Sequence, residues 1–203
     1  MKNINRKIRN WSNAEFKIGA NSIEAIPATS LNEIAFAGRS NVGKSSLINS
    51  LTTRNSLTRV SKTPGCTKQL NFFLLEEKIY LVDMPGYGFA QISKKEQLNW
   101  GKLIKDYLCG RPYLKRVYIL IDARIGFKPV DFEIMKLLDT SAVSYQIVFT
   151  KADKISKLDE EKLQKSFEAI GKKHPALHPN YIITSSVNEA GIDNLRQEIE
   201  EFI

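Results

Sequence analysis

The sequence predicts an α/β protein in three layers: a mostly parallel six-stranded sheet with one antiparallel strand and helices on both faces. Three observations point there. Helix-compatible and strand-compatible stretches alternate from residue 94 to the end. Val117 to Asp122 is nearly all apolar, the composition of a strand buried on both faces. A short apolar run, Ile34 to Ala37, leads into a glycine-bounded turn and a helix-compatible segment, the order of a phosphate-binding unit.

The elements follow in order. Residues 1–30 are mixed and polar and read as an extension packed on the domain of residues 31–203, with Trp11 and Phe16 as its anchors. A helix is expected from Ser45 to Leu51. Residues 52–68, rich in Thr, Ser, Asn, Gly and Lys, form a long loop, and loops of that length inside a domain are usually functional. Leu70–Leu75 and Ile79–Val82, parted by Glu76-Glu77-Lys78, make a hairpin and supply the antiparallel strand. Helices are expected over Lys94–Leu108, Val130–Leu138, Asp159–Lys172 and from Gly191 or Ile192 to Phe202. The strands between them are Val117–Asp122, Tyr145–Thr150 and Tyr181–Thr184.

Composition narrows the class. A chain of 203 residues, 42% hydrophobic and 26% charged, suits one globular domain and excludes a disordered or collagen-like chain. No apolar run approaches the ~18 residues that cross a bilayer, and the basic N-terminus lacks the apolar core of a secretory signal, so no membrane partner is expected. Two cysteines, Cys66 and Cys109, cannot build a disulfide framework or a four-thiolate zinc site, and a cytoplasmic location is the default. The net charge of +8 permits an anionic partner such as RNA. Basic clusters stand at Lys2, Arg6, Lys7, Arg9; at Arg111, Lys115, Arg116; and at Lys172, Lys173, without the aromatic signature of an RNA motif. His174 and His178 flank prolines in a loop and are assigned no metal site.

The chemistry sits in four short segments. Gly38-Arg39-Ser40-Asn41-Val42-Gly43-Lys44-Ser45 fits the P-loop pattern. Its glycines let successive amides face phosphate oxygens, Lys44 reaches the β and γ phosphates, and Ser45 is placed to ligate Mg²⁺. Asp83-Met84-Pro85-Gly86 ends an apolar strand, where a metal-holding aspartate must sit, directly or through water. Gly86 would then sense the γ-phosphate. Thr150-Lys151-Ala152-Asp153 ends a strand too. A carboxylate there accepts the two donors of a guanine edge, which adenine lacks, while the Lys151 stem covers the base. Thr184-Ser185-Ser186 follows the next strand, with backbone amides available to the guanine O6.

In this order the motifs resemble a translation-factor-class small GTPase. GRSNVGKSS at residues 38–46, Thr63-Pro64-Gly65-x-Thr67, Asp83-x-Pro85-Gly86-Tyr87-Gly88-Phe89-Ala90, TKAD and TSS are similar to the EngB (YihA/YsxC) family of ribosome-biogenesis GTPases. The resemblance covers essentially the whole chain. It implies a P-loop GTPase fold, with GTP or GDP as ligand and Mg²⁺ held by Ser45, Thr67 and, through water, Asp83. Gly65, Cys66, Thr67, Lys68 and Gln69 would form a first switch, and Asp83 to about Asn99 a second. Lys44, Thr67 and Gly86 would act on the reacting phosphate. The partner implied is a large-subunit ribosomal precursor, its rRNA or its proteins, with a link to cell division and septation, and a monomeric state.

Two departures stand out. Thr150 replaces the usual asparagine, a change the family shares. Cys66 stands where arginine is usual, which reads first as a neutral substitution and otherwise as a thiol whose oxidation would weaken the GTP-bound switch. Tyr87 occupies the position where many GTPases carry a water-positioning glutamine, so slow intrinsic hydrolysis is expected; Gln91 is too displaced to replace it. Asn41 stands where GTPases that bind K⁺ beside the phosphates often carry asparagine, which leaves two roles open: sharing a K⁺ there, or only stabilising the loop. Two other functions fit parts of the pattern: a P-loop ATPase or kinase, and a non-enzymatic RNA-binding assembly factor stabilised by nucleotide.

Overall fold

The structure is a computed structural model describing residues 8–54, 57, 58, 69–87 and 94–203, with residues 94–100 described by backbone alone. The elements that place the site are as follows. The strands are β1 (Ala14–Ala20), β2 (Asn32–Gly38), β3 (Leu70–Leu75), β4 (Ile79–Asp83), β5 (Leu114–Asp122), β6 (Tyr145–Thr150) and β7 (Ile182–Ile183). The helices are α1 (Lys44–Leu51), α2 (Lys94–Gly110), α3 (Pro129–Thr140), α4 (Lys157–Gly171) and α5 (Ile192–Glu200).

These strands form one sheet in the order β1-β3-β4-β2-β5-β6-β7. The sheet has seven strands rather than six, because the N-terminal segment adds β1 antiparallel to β3. β3 remains the one strand running against the others, since it is antiparallel to both β1 and β4. The missed strand reads AEFKIGA, and its alternation is broken by a register shift between Phe16 and Ile18. Trp11 is buried, whereas Phe16 is 53% exposed and meets the ring of Phe73 on β3. The hairpin turns on Glu76 and Glu77, both left-handed (φ 48 and 54), the handedness that matches the twist of the paired strands.

Period-two alternation sorts the strands between two cores. Val117, Ile119 and Ile121 of β5 face α2, α3 and α4, which contribute Leu103, Ile104, Met135, Leu138, Leu163 and Phe167. Tyr118 and Leu120 face the opposite layer, with Leu47, Ile48 and Leu51 of α1, Ile192, Leu195 and Ile199 of α5, and Trp11. Arg196 of α5 donates to the Ser50 and Leu51 carbonyls at the end of α1, satisfying acceptors that a helix C-terminus leaves open.

One charge cluster dissolves on folding. Arg111 pairs with the fully buried Glu33, and Arg116 bonds Gln146 and Glu198 while lying over the Phe202 ring. Of that trio only Lys115 stays exposed, so the run is mostly internal pairing and not an anion-binding patch. Lys172 and Lys173 remain exposed. No helix among the described residues is long and apolar enough to cross a membrane.

Candidate functional site

The C-terminal ends of the parallel strands β2, β4, β5 and β6 bring the sequence motifs to one edge of the sheet. This is where open α/β sheets bind ligands. The register decides the meeting. Phe36 of β2 pairs with Asp83 of β4, and Asp122 of β5 pairs with Thr150 of β6.

The turn after β2 is built for backbone exposure. Asn41 is left-handed at φ 61, and Gly43, the residue before α1, sits at φ 105, a conformation that L side chains rarely adopt. α1 starts without a side-chain cap, so its first amides stay available at the dipole-positive end. Val42 is buried in the core and Met84 is 2% exposed, so both can serve a ligand only through backbone. Ser40 and Ser45 are half-buried.

Lys44 and Asp83 hold each other in a nearly buried ion pair, with side-chain exposures of 10% and 5%. Gly86 lies against the turn, where a Cβ would come within 2.8 Å of Ser40 Oγ. The residue after it, Tyr87, is buried and donates its hydroxyl to Asp131 Oδ1 at 2.8 Å. Burial, then the Asp131 carboxylate, pushes the Tyr87 phenol well above its ordinary range. Arg39 is likewise drawn to α3: Nη2 donates to the Gly126 carbonyl at 2.9 Å and Nε lies 3.4 Å from Asp131 Oδ1. Any ligand contact by Arg39 is therefore left to its backbone.

The base-facing end is tied to the same turn. Thr150 Oγ1 donates to the Val42 carbonyl at 2.6 Å. Lys151, left-handed at φ 61, donates from Nζ to the Asn41 carbonyl at 2.6 Å and to Asp122 Oδ2 at 2.8 Å. Arg124 forks onto both oxygens of Asp122, at 2.9 and 2.7 Å. Burial alone would raise the Asp122 carboxyl, but bonds from Arg124 and Lys151 outweigh it and hold the group well below the usual carboxylate range. Asp153 is exposed, with one oxygen taken by the Ser185 hydroxyl at 2.6 Å. Ala152 donates its amide to the Thr184 carbonyl.

The structure narrows one expectation. The Thr184 amide is spent on the Phe149 carbonyl and the Ser185 amide on the Ala190 carbonyl. Of the three, only the Ser186 amide makes no hydrogen bond among the described residues. Gln69 lies across Gly19 and donates to Asn71, so its amide is engaged in the sheet. Gly65, Cys66, Thr67 and Lys68, and the GFAQ stretch after Tyr87, lie outside the described residues. Asp122, Arg124 and Asp131 were missed by motif reading. The sole sequence cue was an aspartate ending an apolar strand at Asp122, the same cue that singled out Asp83.

Among the described residues, no group of three or more His, Cys, Asp or Glu side chains forms a metal site. His174 is committed to structure, bonded to Asp139 at 2.6 Å.

A family model described as a 50S ribosome-binding GTPase matches residues 33–151, the span from β2 to the TKAD lysine. Fold and site together define a P-loop GTPase. A probable GTP-binding protein EngB from Cereibacter sphaeroides is 50% identical over 182 residues, 90% of this chain and 84% of that protein. Another from Caulobacter vibrioides is 50% identical over 184 residues, 91% of this chain and 80% of that protein. The crystal structure of a probable GTP-binding protein EngB superposes with a TM-score of 0.66 at 25% identity, covering 84% of this chain and 97% of that one. Era from Aquifex aeolicus, bound to GDP and aluminium fluoride, gives 0.68 at 25% identity over 86% of this chain and 57% of that one. The chain belongs to the EngB family of GTPases.

Proposed function

We propose that this protein is a magnesium-dependent GTP switch acting on precursors of the large ribosomal subunit, in the cytoplasm and as a monomer. The observation that carries the reading is the clasp of the TKAD loop on the P-loop: Lys151 Nζ on the Asn41 carbonyl and Thr150 Oγ1 on the Val42 carbonyl. That clasp sets a base-reading carboxylate, Asp153, at a fixed offset from a phosphate-cradling turn.

In this reading the backbone of Gly38 to Ser45 surrounds the phosphates and Lys44 offsets their charge. Asp153 accepts the guanine N1–H and N2–H₂, held in place by Ser185, while the Ser186 amide serves O6. The Ser45 hydroxyl and the Asp83 carboxylate are hard oxygen donors suited to Mg²⁺, and Thr67 would complete the set. When bound, Mg²⁺ supplies charge that neutralises the β and γ phosphates. Asn41 would share a K⁺ on the same side.

Hydrolysis is slow without a partner. Tyr87, in the usual place of a water-positioning glutamine, has its hydroxyl committed to Asp131, and its ring cannot orient water. The GTP form therefore persists until a ribosomal partner ends it, and loss of the γ-phosphate contacts of Gly86 and Thr67 relaxes the switches. Any oxidation of Cys66 would act on the first of them. The family's ribosome-binding description supports the partner class; failure of subunit assembly would explain an effect on division and septation.

Co-sedimentation with ribosomal subunits tests partner and switch together. With a non-hydrolysable GTP analogue the protein is expected to pellet with the large subunit, and with GDP or no nucleotide to stay in the supernatant. Equal pelleting in all three conditions would leave a nucleotide-independent RNA binder as the better description.

A further inference from the structure

We propose that Tyr87, Asp131 and Arg39 form a clamp that holds the DxPG corner against the P-loop and thereby sets the affinity for the triphosphate relative to the diphosphate. The proposal rests on the GTP-switch reading and adds positioning residues to it.

Asp131 is fully buried in the first turn of α3. Its Oδ2 accepts the Lys128 amide at 2.7 Å and so caps the helix. Its Oδ1 accepts the Tyr87 hydroxyl at 2.8 Å and faces Arg39 Nε at 3.4 Å. One carboxylate thus ties together the second P-loop residue, the residue after DxPG and the start of a core helix. Backbone contacts run beside it: the Tyr87 amide donates to the Gly38 carbonyl at 3.2 Å, and Arg39 and Tyr87 pair as an isolated parallel bridge.

The arrangement is polar and buried, so loosening it is costly. Arg39 Nε makes no hydrogen bond among the described residues, so its hold on Asp131 is ionic. That leaves the Tyr87 hydroxyl as the directional donor to Oδ1. Gly86 sits one residue before Tyr87, packed on Ser40, and has no side chain of its own to keep it there.

A diphosphate needs only the P-loop amides and the start of α1. The third phosphate also needs Gly86. Moving the corner by a fraction of an ångström therefore affects one nucleotide and spares the other. A side chain that merely fills space would affect both alike.

The test is Tyr87→Phe, which keeps the ring and removes one oxygen. Dissociation constants of the full chain for GDP and for a non-hydrolysable GTP analogue are measured with Mg²⁺, beside thermal melts. The analogue should weaken about tenfold, the scale of one hydrogen bond to a charged group, with GDP affinity held within about twofold. Asp131→Asn should move the ratio the same way, and the double variant should add less than the sum of the two. Asp131→Asn alone decides the matter if Tyr87→Phe is too unstable to purify. An unchanged analogue-to-GDP ratio in these variants, with affinities intact or falling together, overturns the clamp. Wild-type protein that binds neither nucleotide overturns the switch reading itself, a result separate from any change of ratio.

Discussion

The two ends of the proposed nucleotide site, a phosphate end at Gly38 to Ser45 and a base end at Asp153, are held by different physics. At the phosphate end the work falls to backbone: a left-handed Gly43, an uncapped helix start and a corner glycine too close to Ser40 to bear a side chain. Its two charged side chains, Lys44 and Asp83, are nearly buried and face each other. At the base end Asp153 is exposed, and its position depends on side chains reaching between loops: Ser185 on Asp153, and Asp122 on Lys151. The turn proposed to hold phosphate is thus a product of local chain geometry, whereas the carboxylate proposed to read the base is placed by tertiary contacts. Substitutions at the first end should cost binding outright; those at the second should change what is bound or how long it stays.

The largest effect is expected at Lys44. Lys44→Ala removes the cation from the phosphates and strands the Asp83 carboxylate, a loss of about 4 kcal/mol, near a thousandfold in GTP and GDP affinity by calorimetry. A loss no greater than that of a surface lysine would break the distinction between the two ends. Asp153 comes next. Asp153→Asn should weaken guanine nucleotides about a hundredfold, two charge-assisted hydrogen bonds being involved, and shift preference toward xanthine nucleotides, whose C2 oxygen accepts where guanine donates. Unchanged preference in competition binding would mean that the base is not read there.

The smallest effect, and the sharpest probe of the base end, concerns Asp122. Asp122→Asn should loosen Lys151 and speed nucleotide release about tenfold, with GTP and GDP affected alike, as stopped-flow dissociation would show. Its pH dependence has a definite sign. The folded carboxyl titrates below its unfolded value of about 3.9, so its stabilisation is present above that pH and is lost as pH falls toward the folded value. The melting-temperature gap between wild type and Asp122→Asn should hold from pH 7 to about 4.5 and shrink below pH 4. A gap that closed between pH 7 and 5 would assign the titration to other groups.

Motif spacing anticipated nearly every element, because strand–turn–helix units with glycines at set positions are local objects, and it named the turn and loops that the fold brings to one edge of the sheet. The N-terminal strand escaped, since AEFKIGA carries a bulge at Lys17 and becomes a strand only because β3 presents a free edge. The sequence shows Arg111, Lys115 and Arg116 only as a basic cluster; Glu33 and Glu198, distant in sequence, take both arginines.

The glycine turn after β2, the order of motifs and the two-sided sheet were all legible in the residues, since these follow from backbone conformations and from hydrophobic period over a few residues. Only the tertiary structure decided that Tyr87 turns inward to Asp131, that Lys151 is braced by Asp122, and that two of the three TSS amides are spent in the fold. Such pairings bury charge or hydrogen-bonding groups between residues as much as 44 positions apart, and whether a polar group meets its partner or water is settled by packing, which no local pattern encodes.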